Sequence, residues 1–183
     1  MTTAPVYVLR DATPADALAI AALHVASWRV AYRGILPDDY LDGSAAAAEA
    51  DARWVENFRT VGRDDILMVA DGDAGLLGLI AVWAGREAGF DTYIDNLHVR
   101  PHLRGQRIGA RLLGEATRRM IAAGHRTTCL WLLDGNDQGG HFYRRIGGSF
   151  EDHQTGEMGG HPIGETRVVW RDLPGLAKAC DDS

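Results

Sequence analysis

One segment constrains the fold more than any other. Thr92 to Leu113 runs from an alternating apolar stretch, through a turn dense in arginine and glycine, into an amphipathic stretch. Thr92 to Val99 reads as a strand, stopped by Pro101. Ile108, Leu112, Leu113, Ala116 and Met120 then recur on one helical face, and Gly124 ends the helix. A strand that turns straight into a long helix belongs to a layered α/β domain. The junction also has chemistry. The first turn of a helix leaves backbone N–H groups unpaired, and the macrodipole adds partial positive charge, so anions bind there. Gly105 and Gly109 keep side chains out of the way, and Arg100, Arg104 and Arg107 add cations. Two other phosphate loops are excluded: no Gly-Lys-Ser/Thr follows, and Gly-x-Gly-x-x-Gly is absent.

The rest of the chain fits one such domain. Val6 to Leu9 reads as a strand, and Thr13-Pro14-Ala-Asp16 as a helix start, with Thr13 capping and Asp16 complementing the dipole. Leu18, Ala21, Ala22, Val25 and Trp28 continue that helix, Gly34 and Pro37 punctuate, and Ala45 to Arg59 is a second helix. Ile66 to Ala70 and Leu76 to Trp83 form a hairpin across an Asp/Gly turn. Thr127 to Leu133 is a strand, Asp137 to Ile146 a helix despite Gly139 and Gly140, and Ser149 to His153 and Thr166 to Trp170 closing strands. The expected fold is α/β (α+β): one mostly antiparallel, twisted sheet of six to seven strands with helices on both faces. A length of 183 residues with 46% hydrophobic content predicts a single domain over 1–183.

Charge and cysteine use narrow the function. Nineteen Lys and Arg against 25 Asp and Glu give a net charge of −6, which argues against a nucleic-acid partner. Cys129 and Cys180 have neither disulfide-framework nor metal-ligand spacing, so no metal is expected. Met1 to Arg10 carries no signal pattern, and Leu76 to Ala84 is too short to span a bilayer. The expectation is a cytoplasmic protein without a membrane partner.

Three motifs now carry a resemblance. Arg104-Gly105-Gln106-Arg107-Ile108-Gly109 resembles the acetyl-CoA pyrophosphate loop of the GCN5-related N-acetyltransferases (GNAT), Arg/Gln-x-x-Gly-x-Gly/Ala, with Arg107 where the first glycine usually stands. Asn136-Asp-Gln-Gly139-Gly-His-Phe142-Tyr143-Arg-Arg-Ile-Gly147 resembles the family's Asn-x-x-Ala-x-x-Phe-Tyr-x-x-x-Gly helix, with Gly139 replacing the alanine. His24 to Pro37 resembles the first-helix signature of many bacterial members.

The resemblance implies an N-acetyltransferase that moves acetyl from acetyl-CoA, a co-substrate, to a small-molecule amine or peptide acceptor by direct attack in a ternary complex. It implies that Leu97, His98 and Val99 pair through their backbone with the pantetheine arm, and that Arg104 to Ala110, including Ile108, hold the diphosphate. Asn136 is a cofactor contact or a helix cap. Tyr143 is implied to protonate the leaving thiolate, a step that suits a phenol. Many members place a Glu where this chain has Tyr93, so the base is open between Asp95, His98 and water. Strict alternation groups Tyr93, Asp95, Leu97 and Val99 on one face and Ile94, Asn96 and His98 on the other. Trp28 and Tyr32, four apart, share a helix face and are expected to roof the acceptor pocket, with Trp83 beside them. Ser149 to Trp170, with its Gly-Glu-Met-Gly-Gly-His-Pro loop, suggests a homodimer. The competing function is a non-catalytic acyl-CoA-binding regulator on the same fold.

Overall fold

The computed structural model describes residues 5–183; residues 1–4, part of the stretch read for a targeting signal, lie outside it. Seven strands form one sheet: β1 (Tyr7–Asp11), β2 (Ile66–Gly72), β3 (Gly75–Ala84), β4 (Thr92–Val99), β5 (Thr128–Leu133), β6 (Ser149–Met158) and β7 (His161–Trp170). Their spatial order is β1-β2-β3-β4-β5-β7-β6, and only β4 and β5 run parallel. The helices are α1 (Ala17–Ala31), α2 (Asp38–Asp42), α3 (Ser44–Thr60), α4 (Ile108–Ala122), α5 (Asp137–Arg145) and α6 (Leu173–Asp182). No helix among the described residues is long and apolar enough to cross a membrane.

The central strands are buried on both faces, which is why they read as near-continuous apolar runs. In β2, Ile66, Met68 and Ala70 face α4 and α6, while Leu67 and Val69 face α1 and α3. The α4 stripe (Ile108, Leu112, Leu113, Ala116, Met120) fills the first layer, joined by Leu173, Leu176 and Cys180 of α6. Ile20, Leu23 and Trp54 fill the second. A third, smaller cluster of Leu36, Leu41 and Leu133 ties α2 to the β6–β7 hairpin through Tyr40 and Ile163.

Helices α2 and α6 are not expected from the sequence, and two further features depart from its reading. The terminal strands are longer than expected. The Gly-Glu-Met-Gly-Gly-His-Pro segment is the tip of a hairpin rather than a loop, turning on Gly159 and Gly160, both at positive φ (57° and 80°). The second departure is in β4. Val82 of β3 faces Ile94, but Ala81 faces Asn96, so Asp95 is an extra, bulged residue. A one-residue bulge reverses the parity of everything after it. Leu97 and Val99 therefore join Ile94 on the α4 side, whereas Tyr93 packs toward α1 and α3. The strict alternation expected for Tyr93 to Val99 is thus overturned.

Candidate functional site

β4 and β5 pair only at Thr92–Thr128 and Tyr93–Cys129. Beyond those pairs they part, and a cleft of about 730 Å³ opens between them, a size suited to a ligand. Ile94 to Val99 line one side and Leu130 to Leu133 the other. The β4 edge facing the cleft has no strand to pair with, so its backbone groups are free for an extended ligand.

At the far end of β4 the chain enters α4 through a tight turn. Gly105 has φ 80° and Arg107, the N-cap residue, φ 63°. No side chain caps the helix, and Ile108, Gly109 and Ala110 line the cleft with their amides in its first turn. That is an anion site by construction. A Cβ on Gly109 would meet nothing closer than a Val99 methyl at 3.6 Å. The glycine is therefore not demanded by protein packing; it keeps clear the space in front of the amides. Arg107 is different, because an L-residue in left-handed geometry costs about 1–2 kcal/mol. Its guanidinium donates to the Asp181 carbonyl at the end of α6.

Three phenols converge where the strands part. Tyr143 of α5, Tyr32 capping the end of α1 and Tyr93 of β4 all line the cleft. Burial, reinforced by the neighbouring phenols, pushes the Tyr143 hydroxyl well above the ordinary tyrosine range. Burial chiefly, with Glu165 adding, pushes Tyr32 up to about 12. All three therefore stay protonated near neutrality. Tyr143 is packed edge-on against Phe142 (5.2 Å) and Trp170 (5.8 Å).

The β4 bulge sets up a polar chain on the α1 side. Asp95 takes Arg53 of α3 at 2.9 Å and accepts from the Asn96 amide at 2.7 Å. The Asn96 oxygen lies 3.3 Å from His98 Nε2, and His98 Nδ1 lies 3.2 Å from the Ser27 hydroxyl. His98 stacks on His24 (4.6 Å, 21°), whose Nδ1 accepts from the Trp54 indole at 3.0 Å. Burial first, then the neighbouring His24 and arginines, holds His98 well below the usual histidine range. Burial brings His24 down to about 4. Both rings are neutral near pH 7.

A family model of the acetyltransferase (GNAT) family matches residues 25–148, well over half of the chain. The chain belongs to the GNAT acetyltransferase family. Among curated proteins this GNAT chain is 24% identical over 170 residues to the uncharacterized N-acetyltransferase YuaI of Bacillus subtilis, covering 92% of this chain and 95% of that one. Among solved structures it is similar to a GCN5-related N-acetyltransferase from Rhodopseudomonas palustris (TM-score 0.73, 19% identity, 93% and 99% coverage). It is also similar to the PaiA N-acetyltransferase of Thermoplasma acidophilum, solved with coenzyme A (TM-score 0.72, 20% identity, 90% and 99% coverage).

Most residues singled out in the sequence of this GNAT domain come together in the cleft. Trp28 and Tyr32 stand edge to face at 5.3 Å and both line it, as do Asp95, Leu97, His98, Val99, Arg104, Gly105, Arg107 to Ala110, Asn136 and Tyr143. Trp83 does not. It is 3% exposed and packs in the core beneath α1 and α3. Gln106 also lies outside the lining. Asn136 caps α5, accepting from Gly139 N at 3.0 Å. A Cβ on Gly139 would crowd the Asn136 amide at 2.9 Å and a Leu132 methyl at 3.0 Å, so this glycine lets the cap close rather than merely weakening the helix. Arg104 spans the cleft, donating to Gln138 of α5 at 2.9 Å and to the Ser27 carbonyl and hydroxyl at 3.2 Å.

Sequence reasoning missed Arg53, Glu165 and Trp131, which also line the cleft. Arg53 reaches Asp95 across 42 positions, which no local pattern reveals. Glu165 was legible in principle. Continuing the β7 alternation two residues back from Arg167 puts it on the same sheet face.

Proposed function

We propose that the protein transfers an acetyl group from acetyl-CoA to a primary amine by direct attack in a ternary complex. The observation that carries this reading is the parting of β4 and β5 beside the uncapped start of α4. An open strand edge leading to a cluster of free amides fits an extended amide chain ending in a diphosphate. The PaiA relative, which holds coenzyme A on the same fold, supports it.

In this reading the backbone of Leu97, His98 and Val99 pairs with the pantetheine arm. The amides of Ile108, Gly109 and Ala110 take the phosphate charge, with Gly105 shaping the turn and Arg104 and Arg107 adding cations. Asn136 holds the α5 start at the cleft edge. When bound, acetyl-CoA supplies an activated acetyl group as a thioester. Tyr143, kept protonated near neutrality by its burial, hydrogen-bonds the departing sulfur and gives it a proton, which the phenol regains from water. Trp28 and Tyr32 wall the acceptor side. Asp95 spends its oxygens on Arg53 and Asn96 and His98 is neutral with both nitrogens engaged, so the amine proton reaches Asp95 through water rather than by direct contact.

The engaged Asp95 is also the one observation favouring the second reading, a non-catalytic acyl-CoA binder. Thiol release from acetyl-CoA, followed over a panel of amines, decides between them. Amine-dependent thiol release supports the transferase; tight acetyl-CoA binding with no release for any amine supports the binder.

A further inference from the structure

The acceptor end of the cleft is aromatic and carries an uncompensated negative charge. Trp28, Tyr32, Tyr93 and Trp131 form its walls. Two carboxylates line it, Asp95 and Glu165, and they are not equivalent. Asp95 is neutralised by Arg53 at 2.9 Å. Glu165, among the described residues, has no cationic partner; its side-chain hydrogen bond is from the neutral Gln154 amide at 3.0 Å. Its strand register, opposite Leu133, places it on the same sheet face as Trp131 and Arg167. Arg167 does not answer its charge, because Arg167 stacks on Trp131 at 5.3 Å and is committed to Glu87 and Asp152. The Tyr32 and Tyr93 phenols both feel the Glu165 charge and remain protonated.

A half-buried carboxylate without a counter-charge is costly, and a cation is what relieves it. Aromatic faces around it favour the same ligand charge. Of the cations near this end, Arg53 is paired with Asp95 and Arg104 is spent on Gln138 of α5 and on the Ser27 carbonyl and hydroxyl, so neither is free to receive a carboxylate of the acceptor.

We infer that Glu165 draws in the acceptor as its ammonium, which gives up a proton through water before its nitrogen attacks, and that the acceptor is a compact cationic amine with an aromatic or apolar body and no carboxylate beside its nitrogen. The inference rests on the acetyltransferase reading of the same cleft and names its acceptor class. Glu165 is a specificity-determining residue in this account.

Phenethylamine and L-phenylalanine share a body and differ by one carboxylate, so they are the probes. Each is titrated calorimetrically into the CoA-loaded protein at pH 7, for the wild type, Glu165→Gln and Glu165→Asp. Phenethylamine should bind the wild type at least tenfold tighter than L-phenylalanine. Glu165→Gln should weaken phenethylamine at least tenfold and shrink the gap, with CoA affinity unchanged, and Glu165→Asp should recover part of the loss. In thiol-release assays the Gln variant should raise KM far more than it lowers kcat. Equal or tighter binding of L-phenylalanine, no phenethylamine binding to the wild type, or a Gln variant within threefold of the wild type overturns the inference. Failure of CoA to bind the wild type would instead defeat the acetyltransferase reading itself.

Discussion

Replacing Tyr143 with phenylalanine separates chemistry from structure more cleanly than any other change at this site. The ring stays, and with it the edge-on packing against Phe142 at 5.2 Å and Trp170 at 5.8 Å. The hydroxyl pKa is raised by burial and neighbouring phenols, with no hydrogen bond contributing among the described residues, so its loss strands no partner there. Stability should change by about 0.5 kcal/mol or less, as for substitutions that break no contact. Catalysis should suffer far more. A positioned proton donor contributes about 10²–10⁴ in rate, which corresponds to about 2.7–5.4 kcal/mol in the barrier. The assay is thiol release at saturating acetyl-CoA and amine, with viscosity independence establishing that chemistry limits the rate. Chemical denaturation and CoA titration run alongside. Because the phenol stays protonated, wild-type kcat should not fall on the alkaline side before pH 10 on account of this group. A Tyr143→Phe turnover within about threefold of the wild type refutes the assignment, and water or another side chain would then protonate the sulfur.

Two further outcomes follow from the geometry. Arg107 sits at φ 63°, so Arg107→Gly should be more stable than Arg107→Ala by about 0.5–1 kcal/mol, after the extra unfolded-state entropy of glycine is allowed for; urea unfolding of the two variants checks this, and an Ala variant of equal or greater stability contradicts it. His24, near 4 in the folded protein against an ordinary value of 6.5, binds fewer protons folded than unfolded between those pH values. Stability should therefore drop as pH falls from 6.5 toward 4, by up to about 2 kcal/mol at pH 5 from this group. His98 acts in the same direction, and a His24→Gln variant, whose side-chain oxygen can still accept from Trp54, should show a visibly flatter acid limb in pH-dependent unfolding.

Much of this was legible because local pattern and tertiary role coincide. The α4 stripe and the glycine-bearing turn before it are local features, and they placed the helix and its free amides correctly. What was not legible depended on contacts. The β4 bulge is set by pairing with β3, and it moved Leu97 and Val99 across the sheet against their simple alternation. Helix α6 starts Leu-Pro-Gly and has weak helical propensity; it exists because Leu173, Leu176 and Cys180 bury against α4. The polar outer half of the β6–β7 hairpin reads as loop, and becomes strand because its tip packs on Tyr40 of α2. Trp83 has the composition of a cleft residue, yet its side of β3 faces Ile20 and Trp54.

In the proposed function, the start of α4 holds the diphosphate of acetyl-CoA. Calorimetric titration of acetyl-CoA into the wild type and a Gly109→Glu variant tests it most directly. Gly109 has room for a Cβ, its nearest contact being Val99 at 3.6 Å, so the variant should fold with unchanged far-UV circular dichroism. A glutamate there puts a like charge in the phosphate space and removes the dipole's benefit, and should weaken acetyl-CoA by at least 100-fold. Acetyl-CoA should bind the wild type one-to-one, and the folded variant should lose that binding. Wild-type protein that binds no acetyl-CoA, or a folded Gly109→Glu variant that binds it as tightly as the wild type, contradicts this placement.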